Sequence, residues 1–192
     1  MKIHSCIGPA KGTFIVKILV ILAHPNLEVS RVNQRWNEEL LQYPNDITIH
    51  ELYKEYPNWS IDVPREQSLL EAYDHVILQF PLYWYSCPPL LKKWLDDVFA
   101  YGWAYGSKGD KLKGKKFGLA MSIGDEKENY LPEGSITFTV DEVIVPFKAS
   151  LGHVGAVLLP YFAVFGVSFQ ASDEEINHSA TEYIDYILKH QQ

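Results

Sequence analysis

Three short stretches of the chain carry residue types that could do chemistry. The first is residues 23–33, AHPNLEVSRVN, where His24, Ser30, Arg31 and Asn33 sit at the junction of an apolar run and an amphipathic one. A helix start at such a junction exposes unpaired N–H groups and the positive end of a dipole, which together favour an anion. The same residues also fit a plain connecting loop in which Ser30 is a simple N-cap. The second stretch is residues 81–86, PLYWYS, with Tyr83, Trp84 and Tyr85 in succession. Flat aromatic faces beside turn amides suit a flat heteroaromatic ring; a hydrophobic cluster or a subunit interface would use them equally well. The third is residues 122–134, SIGDEKENYLPEG. There Gly124 permits close backbone approach, Tyr130 could reach a pocket edge, and residues 125–128 read as a solvated acidic loop.

Other signatures are missing. No GxGxxG follows the first apolar run and no GxxxxGK[ST] occurs, which disfavours a Rossmann dinucleotide site and a P-loop. No serine nucleophile elbow is present. His50, His75, His153 and His178 have no partners at ligand spacing, so no metal is expected. Asp96 and Asp97 are adjacent on an expected helix and face different directions. Cys6 and Cys87 form no CxxC pair or disulfide framework, which suits a reducing cytoplasm. Cys87 follows the aromatic turn at an expected helix N-terminus, a setting that would lower its pKa, but no histidine stands near it in sequence.

These stretches need a scaffold, and hydrophobic periodicity supplies one. Residues 14–23 are nearly continuous and β-branched, as in a strand buried on both faces. A helix follows over residues 30–43, with Val32, Trp36 and Leu40 on one face. Residues 46–52 read as a second strand and 53–63 as a loop. Asp62 and Pro64 open a helix to residue 72. Residues 74–80 form a third strand, and Ser86 or Cys87 starts a helix with Pro88 and Pro89 in its first turn. A loop spans 101–114 and a fourth strand 115–122. A helix over 139–151 must kink or split at Pro146. A fifth strand runs through 156–165 around Pro160. Ser172 and Glu175 form a capping box for a last helix reaching Lys189. Alternating strands and helices imply a parallel sheet with helices on both faces. Five strands at this length suggest the flavodoxin-like order 2-1-3-4-5, which gathers the loops after strands one, three and four at one sheet edge.

Composition agrees with this outline. The 192 residues suit one domain over 14–192, with residues 1–13 an extension outside the fold. The 47% hydrophobic and 21% charged shares are those of an ordinary globular protein, and the net charge of −7 argues against nucleic acid as a partner. Residues 157–169 are apolar but too short to span a bilayer, and residues 1–13 lack a signal-peptide core.

The pattern AHPxxxxSxxN after strand one, followed by FPLYWYSCPPLLKKWLDDVFAYGWAYG, resembles the flavodoxin-like NAD(P)H:quinone oxidoreductases. Within them it is most similar to the accessory oxidoreductases of glutathione-gated potassium-efflux antiporters and to general-stress NAD(P)H dehydrogenases. The resemblance covers residues 16 to about 189. It implies non-covalently bound FMN, or FAD, at the interface of a homodimer, with NADPH or NADH as co-substrate and a quinone or similar acceptor. The implied mechanism is a two-electron ping-pong transfer. It also implies a cytoplasmic protein, in one variant peripheral to the membrane as the regulatory subunit of a transporter, with the flavin as sensor. By position, His24, Ser30, Arg31, Val32 and Asn33 would hold the phosphate and ribityl chain. Pro81, Leu82, Tyr83, Trp84 and Tyr85 would line the isoalloxazine. Ser122, Ile123, Gly124 and Asp125 would meet its other edge, with Tyr130 as a catalytic residue over the substrate side. This last loop departs from the family pattern of two threonines and two or more glycines, so Asp125 would bring a carboxylate to the ring's edge.

Overall fold

The computed structural model describes residues 17–168 and 171–189. The expected extension at residues 1–13 lies outside them, as does the start of the first expected strand. The sheet consists of β1 (Ile18–Leu22), β2 (Ile47–Glu51), β3 (His75–Pro81), β4 (Lys116–Ser122), β5 (Val157–Leu158) and β6 (Phe162–Val164). β1 and β3 are buried throughout and β4 in all but its first residue, as parallel strands covered on both faces must be. β2 is only partly buried, and it lies at the sheet's edge. Every pairing is parallel and the order is β2-β1-β3-β4-β5, the order expected. The expected fifth strand is broken in two. β5 pairs with the start of β4 and β6 with its end. Pro160 stands between them, where it has no N–H to offer a ladder.

One face of the sheet carries α1 (Arg31–Leu40) and α7 (Asp173–Lys189). There Trp36 and Tyr183 pack on Ile18, Val20 and Ile77. The other face carries α3 (Val63–Glu71), α4 (Pro89–Val98) and α6 (Val145–His153), through Leu70, Trp94 and Phe147 against Leu19, Leu78 and Phe80. Between α3 and α4 lies a buried carboxylate. Glu66, fully buried, accepts hydrogen bonds from the Tyr56 hydroxyl and from Trp94 Nε1 at 2.7 Å. His50 Nε2 is 3.0 Å from Glu66 Oε2, close but not aligned as a hydrogen bond.

Two local expectations change, and the split expected near Pro146 occurs. Residue 52 is not strand and residues 53–55 are not loop: α2 (Leu52–Glu55) is one helical turn, because Leu52 and Tyr56 at either end of it are drawn into the core. The helix expected over 139–151 splits into α5 (Val140–Val143) and α6. Thr139 and Glu142 cap α5 reciprocally, and Pro146 falls in the first turn of α6, where an N–H is dispensable. α4 begins at Pro89 with Pro88 as N-cap, not at Ser86 or Cys87. A residue before proline is driven towards extended backbone, so Cys87 stays outside the helix. No helix among the described residues is long and apolar enough to cross a membrane.

Candidate functional site

The parallel register sets the carboxyl ends of β1, β3 and β4 side by side, with Leu22 beside Gln79 and Pro81 beside Ser122. The loops leaving these ends wall a cleft of about 280 Å³. It brings together His24, Ser30, Arg31 and Val32 from the first loop, Pro81, Leu82 and Tyr83 from the second, and Ser122 and Gly124 from the third. Sequence reasoning missed Val29, Val167 and Ser168 on the same walls. The segment after β6 is fastened to the third loop: Gly166 N donates to Asp125 O at 2.8 Å, Val167 N to Ile123 O at 3.2 Å and Ser168 N to Gly124 O at 3.3 Å. The strand order could have pointed to it, since the end of strand five must neighbour the end of strand four. A Cβ on Gly124 would lie 2.6 Å from Ser168 Oγ, so a larger residue here would have to turn that hydroxyl aside.

The first loop is built for donation. Ser30 caps α1, accepting the Asn33 N–H at 3.2 Å. His24 Nδ1 accepts the Asn26 N–H at 3.1 Å, so the neutral ring carries its proton on Nε2. Burial pushes the His24 pKa down and favours that neutral form. Arg31, at the first helical position, donates to Asp173 Oδ1 at 2.6 Å across an exposed ion pair to the start of α7.

Several expected site residues stand elsewhere. Asn33 is buried behind the wall, where Nδ2 donates to Ser122 Oγ at 2.8 Å and to Ser30 Oγ at 3.2 Å. Ile123 is core. Asp125 does not turn its charge into the cleft. Its Oδ1 accepts from Glu126 N at 2.8 Å and Asn129 Nδ2 at 2.6 Å, which ties down the short 3₁₀ turn Lys127–Tyr130. Tyr130 is buried against Phe165, with ring centroids 5.8 Å apart. Burial pushes its pKa up to about 12, with Tyr85 and Asp125 adding to the effect, so the phenol stays protonated. Cys87 is buried too, and burial raises its thiol pKa, the reverse of the expected direction.

Trp84 and Tyr85 form the tip of a hairpin beside the cleft. Tyr83 N donates to Ser86 O at 2.9 Å and Ser86 N to Tyr83 O at 3.0 Å. The two residues between have φ of 47° and 61°. A two-residue loop with both φ positive is a type I′ turn, the habitual place of Asn-Gly. A left-handed conformation costs a side-chain-bearing residue about 1–2 kcal/mol. Strain of this kind clusters at ligand clamps. It holds the Trp84 ring clear of the protein, 92% exposed. Among the described residues neither Trp84 nor Tyr85 gives its N–H to a backbone carbonyl. A cleft of donors next to an exposed aromatic platform with free amides can take an anion joined to a flat ring. No group of three or more His, Cys, Asp or Glu suited to a metal occurs among the described residues.

Comparison with known proteins agrees with the fold. A family model described as a flavodoxin-like fold matches residues 16–187. The chain belongs to this flavodoxin-like family. It is 49% identical over 172 residues to general stress protein 14 of Bacillus subtilis, covering 90% of this chain and 97% of that one. It is 34% identical over 171 residues to the Escherichia coli glutathione-regulated potassium-efflux system ancillary protein KefG, covering 89% and 92%. Among solved structures, general stress protein 14 from Treponema denticola in complex with FMN superposes with a TM-score of 0.86 at 42% identity, over 92% of this chain and 99% of that one. An NADPH-quinone reductase from P. pentosaceus gives 0.80 at 32% identity, over 90% and 98%.

Proposed function

We propose that this protein is an FMN-dependent NAD(P)H dehydrogenase that passes two electrons to quinones or similar acceptors by a ping-pong mechanism. The observation that carries the reading is the juxtaposition of a donor-lined cleft at the start of α1 with the exposed Trp84 hairpin. The FMN held by the Treponema relative and the NADPH-quinone reductase likeness support it. The donor set fits a phosphate monoester: His24 Nε2, the Arg31 guanidinium, the Ser30 hydroxyl and the first N–H groups of α1 all point one polarity at the ligand. Leu82, Tyr83, Trp84 and Tyr85 would flank the isoalloxazine with rings and free amides, and Ser122 and Gly124 its other edge. Asn33 would act from behind, through the two serines. When bound, the flavin supplies the hydride chemistry, and the protein supplies orientation and charge stabilisation. Tyr130, neutral behind Tyr85, would serve as a proton-bearing hydroxyl on the acceptor side. Trp84, Tyr101 and Phe138 are 92%, 72% and 58% exposed, and a homodimer would cover such a surface.

The test is direct. The purified protein should be yellow or take up added FMN. Anaerobic NADPH or NADH should bleach the flavin band and a quinone should restore it. A colourless preparation that takes up no FMN overturns the proposal. The KefG likeness favours a second reading, an accessory subunit of a potassium-efflux antiporter with the flavin as sensor. That reading expects slow quinone turnover and co-purification with the antiporter when the two are expressed together.

A further inference from the structure

We infer that Gln79 sets the direction of the hydrogen bonds behind the cleft, so that the Ser30 and Ser122 hydroxyl protons are both left free for a ligand, with Ser30 able to meet it only as a donor. The inference rests in part on the flavin reading, since it explains why an anionic, lone-pair-rich ligand is preferred there.

The argument starts from a group whose polarity cannot change. Gln79, fully buried on β3, points to the α1 and α7 side of the sheet. Its side-chain amide approaches the backbone carbonyl of Asn33 at 3.4 Å. A carbonyl can only accept, so the near end of the Gln79 amide is its NH₂ group. The far end is therefore the oxygen, and the Tyr183 hydroxyl, 3.2 Å away, must donate to it. That same NH₂ group lies 3.4 Å from Asn33 Oδ1, which places the Asn33 oxygen inward. Asn33 Nδ2 must then face outward, where it meets Ser122 Oγ and Ser30 Oγ.

The consequence falls on the two hydroxyls. Ser30 Oγ accepts twice from Asn33, once from the backbone N–H and once from Nδ2, and so has used both lone pairs. Ser122 Oγ accepts the shorter of the Nδ2 bonds. Among the described residues neither hydroxyl donates to a protein acceptor. Ser122 is 4% exposed, and both serines line the cleft, so its interior is where their protons are free to go. Were the Asn33 amide reversed, its oxygen would draw in the Ser122 proton, and the cleft would meet a lone pair instead. A buried polar chain whose every link is satisfied has one low-energy direction. Gln79 and Tyr183 touch no ligand; they act through Asn33 as positioning residues.

The experiment has two arms. In the first, NMR of the flavin-free full chain reads exchange of the Asn33 side-chain amide protons. They should be protected in the wild type and at least about tenfold less so in Gln79→Met, which keeps the volume but loses one buried partner. Unprotected protons in the wild type, or equal protection in Gln79→Met, overturn the inference whatever the flavin does. The second arm measures FMN dissociation constants by fluorescence quenching for the wild type, Gln79→Met, Ser122→Ala and the double variant. Gln79→Met should weaken binding about tenfold alone, one charge-assisted hydrogen bond's worth, and threefold or less in the Ser122→Ala background. A full tenfold loss in both backgrounds means Gln79 acts only as a structural residue and overturns the direction argument. Where Gln79→Met does not fold, Tyr183→Phe takes its place with a smaller loss of the same non-additive form. Wild-type protein that shows the protected amide yet binds no FMN supports the directed chain and refutes the flavin reading instead.

Discussion

Replacing Trp84 with Asn should stabilise the flavin-free protein and weaken flavin binding at once. Trp84 sits at φ 47° in the first central position of the hairpin turn and is 92% exposed. With so little of the ring buried, its removal forfeits at most about 0.5 kcal/mol of apolar burial. Asn tolerates the left-handed region that costs an ordinary residue about 1–2 kcal/mol. The net gain is about 1 kcal/mol, which at this chain length raises Tm by about 2–4 °C. The same change removes a stacking surface worth about 1–3 kcal/mol to a bound heteroaromatic ring, so the FMN dissociation constant should rise about 5- to 150-fold. Thermal unfolding of the apoprotein and fluorescence titration with FMN read the two effects separately. An apoprotein no more stable than wild type would refute the strain argument. FMN affinity within twofold of wild type would refute the placement of the ring.

Three further outcomes follow from the geometry. Burial pushes the Glu66 pKa up, but hydrogen bonds from Tyr56 and Trp94 and the neighbouring His50 outweigh it, and the net direction is down from 4.5. Wild-type stability should therefore be full above pH 4.5 and decline as pH falls through the lower folded-state pKa, while Glu66→Gln loses about 2 kcal/mol near neutrality and shows a flatter acid limb in urea titrations. Asp125→Ala should cost about 1–2 kcal/mol in thermal unfolding by releasing Glu126 N and Asn129. It should change FMN affinity less than threefold; a large gain would mean that the carboxylate faces the ring. Arg31→Gln should shift stability by under about 1 kcal/mol, because its pair with Asp173 is exposed. It should weaken FMN and flatten the salt dependence of FMN binding while leaving riboflavin binding unchanged, which isothermal titration of the two flavins would show.

The sheet was legible because β1, β3 and β4 are buried on both faces and so appear as apolar runs, which turn residues then separate. Where the sequence reading slipped, the cause was local and physical. Pro88 and Pro89 look like the first turn of a helix begun at Ser86 or Cys87, but each proline drives the residue before it away from helical backbone, so the helix starts at Pro89 and leaves Cys87 buried outside it. Leu52 looks like a strand end and Tyr56 like loop until their burial pulls a helical turn out of the chain. Neither error moves a cleft residue: residues 52–56 follow β2, and residues 87–89 come after the hairpin, beyond Pro81, Leu82 and Tyr83.

The site was less legible, and Asn33 and Asp125 show why. Both were assigned to a ligand because each falls in a stretch that reaches the cleft. Position along a chain places a backbone but does not say which way an amide or carboxylate turns, and that depends on partners distant in sequence. Asn33 is held behind the wall because Gln79, 46 residues away, satisfies its side-chain oxygen and Ser122, 89 residues away, its amide nitrogen. Asp125 turns away from the cleft because its own loop offers two donors within four residues. For the same reason the departure at residues 122–125 is smaller than it looks. What lines the cleft at that wall is Ser122 and Gly124. The Asp125 carboxylate keeps the loop that presents them in place.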